Sequence, residues 1–139
     1  MIGIIGLGVV GSAVNHWLSK GNDIKIHDPL LGTNLDELLE ETNFAYICVP
    51  TPQDSESGGA DISIIHEILC ELPDDFQAVI KSTIPPGTVK SLEAQYPKLR
   101  IAYSPEFLVE RNSIQDYGTQ DILVVGTNDE ELAETVFQH

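Results

Sequence analysis

The sequence is poor in basic residues, in cysteine and in long apolar runs. Its 139 residues carry 22 Asp and Glu against 7 Lys and Arg, a formal net charge of −15. Nucleic acids and anionic membranes bind basic patches, so this balance argues against both as partners. Two cysteines, Cys48 and Cys70, offer neither a disulfide framework nor metal-ligand spacing, and we expect no metal site. Because no apolar run approaches the roughly 20 residues of a membrane helix, and no signal-peptide pattern is present, we expect a cytoplasmic protein.

What the sequence does contain fits one globular domain, residues 1–139. The length is that of a single domain, and an apolar content of 42% is too high for a disordered chain. Short apolar runs alternate with amphipathic segments, which predicts an α/β fold with a parallel sheet and right-handed crossovers. The six predicted strands are, in chain order, residues 1–5, 23–27, 44–49, 78–81, 100–103 and 122–125.

A glycine-rich turn follows the first predicted strand, where residues 2–14 read IGIIGLGVVGSAV. Gly6 permits the tight turn, Gly8 lets the backbone approach a pyrophosphate, and Gly11 lets the next helix pack against the sheet. The N–H groups that begin this helix, at Val9 and Val10, can hold the anion without lysine or arginine. The turn predicts a doubly wound, six-stranded dinucleotide-binding (Rossmann) sheet with strand order 3-2-1-4-5-6.

An acidic residue, Asp28, ends the second predicted strand, seventeen residues after Gly11. A carboxylate at this position should accept hydrogen bonds from the adenosine ribose hydroxyls and repel a 2′-phosphate, which favours NAD over NADP. A methyltransferase that uses S-adenosylmethionine can share such a glycine turn and acid. These residues alone therefore leave methyl transfer open as an alternative.

Three further phrases follow predicted strands: YICVPTP at 46–52, KSTIPPGT at 81–88 and SPEFLVERNSIQDY at 104–117. Because the carboxyl ends of parallel strands meet at one edge of a sheet, we expect these phrases to lie together. Glu106 and Glu110, four residues apart, would share one side of a helical turn and could act as base and polarising group. In a chain with 22 acidic residues, a solvated acidic turn is the alternative interpretation.

With the glycine turn, these phrases make the sequence resemble the N-terminal NAD-binding domain of the UDP-glucose/GDP-mannose dehydrogenase family. The resemblance implies that the ends of the strands line a cofactor site. On the adenosine and pyrophosphate side stand Val49, Pro50 and Thr51, and on the nicotinamide side stand Ser82 and Thr83. It also implies that Thr83 takes part in the active site.

That family oxidises the C6 alcohol of a UDP- or GDP-linked hexose twice, passing two hydrides to NAD through cysteine-bound intermediates. The resemblance implies that Glu106 works with the cysteine site and that Glu110 positions or activates water in the second oxidation. Val109 stands where the family has arginine, and Arg111 and Asn112 stand where small residues are usual. The choice of nucleotide sugar is therefore left open.

The 139 residues end before the segments where the family has its central helix and catalytic cysteine, so we expect an incomplete catalyst. Cys48 and Cys70 are expected to be structural, since neither has a cationic sequence neighbour that would activate it. The alternatives are a non-catalytic NAD-binding or sensing module, a homo-oligomer, or a subunit completed by a partner chain. We expect the last helix to expose Leu132, Val136 and Phe137, which would favour association.

Overall fold

Five parallel strands form the sheet at the centre of the structure, a computed structural model that describes residues 1–56, 58–108 and 110–139, with Glu110 described by its backbone alone. The strands are β1 (Ile2–Ile5), β2 (Ile24–His27), β3 (Phe44–Ile47), β4 (Gln77–Ile80) and β5 (Arg100–Tyr103). Their order across the sheet is β2-β1-β3-β4-β5, and every neighbouring pair is parallel. The predicted α/β fold with a parallel sheet is confirmed.

Helices cover both faces of this sheet. They are α1 (Val9–Leu18), α2 (Leu35–Leu39), α3 (Ser63–Glu71), α4 (Thr88–Gln95), α5 (Ser113–Gly118) and α6 (Glu130–Gln138), with 3-10 turns at Pro29–Leu31 and Glu110–Asn112. Alternate strand residues enter two separate apolar clusters. Ile47 and Ile80 pack with α2, α3 and α4, whereas Tyr46 and Val79 pack with α1 and α6. Strands that are buried on both faces explain the continuous apolar runs in the sequence.

The predicted strand order was wrong, because β3 pairs with β1 rather than with β2. Ala45 and Ile47 of β3 lie beside Gly3 and Ile5 of β1 in register. Residues 28–43, all of which the structure describes, connect β2 to β3 and contain one 3-10 turn and the five residues of α2 but no strand. The fully buried β3 takes the centre of the sheet. Strand β2, with Lys25 among its partly exposed residues, takes the edge, where a charged side chain discourages pairing with another chain.

The predicted sixth strand, residues 122–125, was also wrong. The chain there makes one antiparallel bridge, between Tyr103 and Gly126, and so runs against β5 instead of along it. Ile122 is 66% exposed. The preceding helix, α5, has six residues and packs on α1, so it does not form the long crossover that a parallel strand requires.

The last helix, α6, packs more of its apolar residues than the sequence predicted. Leu132 and Val136 are buried among the residues on the α1 side of the sheet, and Phe137 remains exposed. Asp129 begins the helix by accepting a hydrogen bond from the Leu132 N–H. Of the three residues that were expected to be exposed, Phe137 alone is exposed, so the three do not form an apolar patch on the surface.

The order β2-β1-β3 places a switch point at the carboxyl ends of β1 and β3. The chain leaves β1 through α1 on one face of the sheet and leaves β3 through α3 on the other, so the loops after β1 and β3 diverge and a crevice opens between them. Ligands of open α/β sheets bind in such crevices. Within the described ranges, no helix is both long and apolar enough to cross a membrane.

Candidate functional site

The three glycines of the first turn have two different roles. Gly6 has a φ of 90°, and a Cβ there would lie 2.7 Å from the carbonyl oxygen of Cys48. A Cβ at Gly11 would lie 2.0 Å from the Gly6 carbonyl oxygen. Around Gly8, by contrast, no described heavy atom lies within 4 Å of the Cβ position. Gly6 and Gly11 are therefore required by the fold, and Gly8 leaves open the space that a ligand would use.

Helix α1 begins at this open position. Gly8 is its N-cap, no side chain caps the first N–H groups, and Gly8, Val9 and Val10 all line the adjoining cavity. The cavity in front of them, here called the Asp28 cleft, has a volume of about 450 Å³. Its lining consists of Gly6, Leu7, Gly8, Val9, Val10, Asp28, Pro29, Leu30, Cys48, Val49, Pro50 and Ile64. A helix N-terminus beside apolar walls suits a phosphate group attached to an aromatic base.

Asp28 is fixed at one end of the cleft by backbone donors. One carboxylate oxygen, Oδ2, accepts a 2.6 Å hydrogen bond from the Leu7 N–H, and Oδ1 accepts a 2.8 Å bond from the Leu30 N–H. The Thr33 hydroxyl accepts from the Asp28 N–H. Each carboxylate oxygen keeps further acceptor capacity, so the group can still receive hydroxyl donors from a ligand.

A second cavity, here called the Thr83 pocket, adjoins the Asp28 cleft. It has a volume of about 240 Å³ and shares Val10, Cys48 and Val49 with the cleft. The rest of its lining is Thr51, Lys81, Ser82, Thr83, Glu106 and Leu108. The two cavities together follow the carboxyl edge of the sheet from β2 to β5.

Hydroxyl groups fasten the loops around the Thr83 pocket. The Thr51 hydroxyl donates a 2.7 Å hydrogen bond to the Thr83 carbonyl, and the Ser82 hydroxyl donates a 2.6 Å bond to the Val49 carbonyl. These bonds join the ends of β3 and β4. The Thr83 residue itself is exposed, so its own hydroxyl is available at the pocket wall.

Glu106 lies in a buried polar cluster at the far side of this pocket. Its Oε1 forms an ion pair with the Lys81 ammonium, and its Oε2 accepts a 3.0 Å hydrogen bond from the Gln120 amide. Lys81 also donates to the carbonyl and to the hydroxyl of Ser104, both at 3.2 Å. The Lys81 and Glu106 side chains are only 1% and 5% exposed. The cluster therefore fixes a carboxylate in the lining of the pocket that Thr83 also lines.

Cys48 borders both cavities, but its environment disfavours the thiolate. Burial raises the pKa of the Cys48 thiol to about 12, with the nearby Lys81 acting to lower it and Glu106 acting to raise it. Burial also raises the pKa of the Tyr46 and Tyr117 hydroxyls next to this cluster. A thiol with so high a pKa is not a nucleophile at neutral pH, as expected of a core cysteine.

The structure brings most of the predicted site residues to one edge of the sheet. Gly11 does not line either cavity and acts through packing, and the side chain of Glu110 lies outside the part of the chain that the structure describes. The others line one or both cavities: Gly6, Gly8, Val9, Val10, Asp28, Val49, Pro50, Thr51, Ser82, Thr83 and Glu106.

The residues of these cavities and of the Glu106 cluster that were not predicted include Lys81, Gln120, Leu30 and Ile64. Lys81 carries a signal that could have been used, since it is a lone charge at the end of a buried apolar strand. Gln120 has no comparable signal. Among the described residues, no group of three or more metal-binding side chains comes together.

The arrangement fits a dinucleotide. Gly8 and the start of α1 could hold an anion, Asp28 could accept hydrogen bonds from ribose hydroxyls, and Leu30 and Ile64 offer apolar surface on which an adenine ring could lie. The Thr83 pocket then provides space for the second half of the molecule. No lysine or arginine lines the Asp28 cleft among its described residues, which favours a cofactor without a 2′-phosphate.

Comparison with known proteins identifies relatives of this chain. UDP-glucose 6-dehydrogenase from Rickettsia bellii is 34% identical over 114 residues, which is 76% of this chain and 26% of that protein. UDP-N-acetyl-D-mannosamine dehydrogenase from Methanococcus maripaludis is 28% identical over 97% of this chain and 36% of its own length. This chain therefore spans about a quarter to a third of these relatives.

Solved structures share the fold. GDP-mannose dehydrogenase from Pseudomonas aeruginosa matches 99% of this chain and 43% of its own chain, with a TM-score of 0.80 and 21% identity.

The family model for the UDP-glucose/GDP-mannose dehydrogenase family, NAD binding domain, matches residues 28–138. With a crevice that fits a dinucleotide and a family match over most of its length, this chain belongs to the UDP-glucose/GDP-mannose dehydrogenase family and is its NAD-binding domain.

Proposed function

We propose that this domain binds NAD across the Asp28 cleft and the Thr83 pocket and presents it to the C6 alcohol of a UDP- or GDP-linked hexose. The observation that carries the proposal is the pair of adjoining cavities at the switch point of the sheet. The relatives named above act on UDP-glucose and UDP-N-acetyl-D-mannosamine, which supports a nucleotide sugar as the substrate.

At the Asp28 cleft, the domain's task is binding and orientation. The N–H groups of Val9 and Val10 at the start of α1 hold the pyrophosphate, and Gly8 lets it approach the backbone. Asp28, held by the Leu7 N–H, accepts the ribose hydroxyls. A 2′-phosphate would bring negative charge against this carboxylate, so NAD is preferred to NADP.

At the Thr83 pocket, the domain meets the reacting end of the cofactor. Bound NAD supplies the hydride acceptor for the oxidation of the alcohol. Thr83 offers an exposed hydroxyl at the pocket wall, and Glu106 offers a carboxylate that is fixed by Lys81 and Gln120. The family resemblance assigns Glu110 to positioning or activating water in the second oxidation.

We propose neither cysteine of residues 1–139 as the nucleophile that forms the cysteine-bound intermediates. Burial raises the pKa of the Cys48 thiol to about 12, and Cys70 lies on α3, where its Sγ contacts the Tyr96 hydroxyl at 3.4 Å. A further part of the protein or a partner chain would supply the cysteine. Two unpaired thiols fit a reducing compartment, and we place the protein in the cytoplasm.

The test is a calorimetric titration of NAD, NADP and S-adenosylmethionine into the protein and its Asp28→Arg variant. We expect NAD alone to bind the unchanged protein, and we expect the variant to lose or reverse this preference. Asp23→Arg, at an exposed position just before β2, is the control with the same charge change and should retain NAD binding. Binding of S-adenosylmethionine without NAD would support a methyltransferase and overturn the proposal.

A second experiment separates a hydride-transferring subunit from an NAD-sensing module. The protein is mixed with NAD, UDP-glucose or GDP-mannose, and a cysteine-containing C-terminal half from a relative, and NADH is followed by its absorbance. Production of NADH that requires Glu106 supports the dehydrogenase subunit. Intact NAD binding without NADH from any combination favours the sensing module.

A further inference from the structure

Lys81 and Glu106 form an ion pair that is almost completely removed from water. Lys81 has three N–H donors, and each has an acceptor: Glu106 Oε1 and the Ser104 carbonyl and hydroxyl. The ammonium also lies 5.4 Å from the Tyr46 ring centroid and 5.7 Å from that of Tyr117, within the range of cation–π attraction. The pair therefore adds one positive and one negative charge to the same small volume, a net charge of zero.

This pair forms part of the wall of the Thr83 pocket, at the end of the crevice away from Asp28. If Asp28 receives the adenosine, the nicotinamide half of the cofactor extends towards this wall. The oxidised nicotinamide ring carries a positive charge, and the reduced ring is neutral. Any net charge on the wall would change the affinities for the two forms unequally, because Coulomb interactions are strong where water is excluded.

We propose that Lys81 sets the relative affinity of the domain for NAD and NADH by neutralising Glu106. The inference rests on the proposed NAD site. Without Lys81, the Glu106 carboxylate would attract the oxidised ring and hold NAD at the expense of NADH. With Lys81 in place, the carboxylate keeps its position in the wall of the Thr83 pocket without selecting one oxidation state. Lys81 is thus a specificity-determining residue that acts through charge balance.

The test measures the dissociation constants of NAD and NADH by calorimetry at low ionic strength in four proteins. They are the unchanged protein, Glu106→Gln, Lys81→Met, and the double variant, in which the pair becomes two neutral side chains of similar size. Glu106→Gln leaves an unpaired ammonium and should raise the ratio of the NAD to the NADH dissociation constant about fivefold to tenfold. Lys81→Met should lower this ratio, and the double variant should return it to within about twofold of the original.

The double variant also guards against misfolding, because it contains no unpaired buried charge. Equal ratios in the unchanged protein, in Glu106→Gln and in the double variant, with all three folded by circular dichroism, would overturn the inference and leave the NAD site intact. A shift in the same direction for both single variants would overturn it too. If the unchanged protein binds neither NAD nor NADH, the proposed function itself fails, and the inference fails with it.

Discussion

The indole N–H of Trp17 donates a 2.5 Å hydrogen bond to the carbonyl oxygen of Ile114, which ties the end of α1 to α5. The Lys20 ammonium lies 3.4 Å from the indole ring centroid. Gly118 lies against the indole edge, and a Cβ there would come within 1.9 Å of Trp17 Cζ2. Helix α1 thus contacts the candidate cofactor crevice at its first turn and the segment after Glu106 at its last turn.

Gly118→Ala should therefore destabilise the domain by about 1–3 kcal/mol, because the methyl group overlaps an indole that is held on two sides. The chain has one tryptophan, so its fluorescence reports this contact directly. The measurement is urea unfolding followed by tryptophan emission. Gly21→Ala is the matched control, since its Cβ would meet no described atom within 4 Å, and it should change stability by less than about 0.5 kcal/mol. Equal midpoints for the two variants would contradict the overlap.

The glycines of the first turn predict two different failures. Gly11→Ala places a methyl group 2.0 Å from a backbone carbonyl and should cost about 3 kcal/mol of stability, with loss of NAD binding as a consequence. Gly8→Ala meets open space, so stability should change by about 1 kcal/mol or less while NAD affinity falls at least about tenfold. Urea unfolding and NAD titration of both variants check this contrast. A Gly8→Ala protein that binds NAD normally would place the pyrophosphate elsewhere.

The turn could be predicted from sequence because each glycine has a local cause. Gly6 adopts a positive φ, and Gly6 and Gly11 stand where a side chain would strike the backbone. Glu106 and Thr83 could be placed at the same edge because each follows a parallel strand. Such arguments need only the position of a residue relative to its own strand, which the apolar runs define well.

The strand order could not be predicted in this way, because pairing is decided between distant segments. Nothing within residues 28–43 decides whether β3 pairs with β1 or with β2. The contacts of Lys81 come from Glu106, Ser104 and two tyrosine rings in other parts of the chain, so its own sequence position does not reveal them. The apolar residues 122–125 resemble a strand, yet their direction depends on where α5 packs.

The two thiols should differ in reactivity. Cys70 is exposed, whereas Cys48 is buried with a pKa of about 12, and the thiolate is the reacting form. A disulfide reagent at pH 8 should label one thiol quickly in the folded protein and two after unfolding in guanidinium. Cys70→Ser should abolish the fast reaction, and Cys48→Ala should leave it unchanged. Fast labelling at Cys48 in the folded Cys70→Ser protein would contradict its burial.

The ion pair between Arg100 and Asp129 predicts a defined pH dependence. Arg100 Nε and Nη2 donate to the two Asp129 carboxylate oxygens at 2.5 and 2.8 Å, and this guanidinium lowers the pKa of Asp129 to about 2. A carboxylate whose pKa is lower in the folded state stabilises the fold above its unfolded pKa of about 3.9. That contribution is lost as the pH falls from about 4 through about 2.

Asp129→Asn keeps an oxygen that can accept the Leu132 N–H at the start of α6, so it tests the charge rather than the helix cap. At pH 7 it should cost about 1 kcal/mol, a value reduced for the partial exposure of both side chains, and near pH 2 the difference from the unchanged protein should disappear. Urea unfolding at pH 7, 4 and 2 gives the three values. Asp74→Asn is the control, because the Asp74–Lys98 pair is exposed to solvent. At each pH this variant should have the same urea midpoint as the unchanged protein. A cost for Asp129→Asn that is the same at pH 7 and pH 2 would mean that lost packing, and not the charge, destabilises the variant.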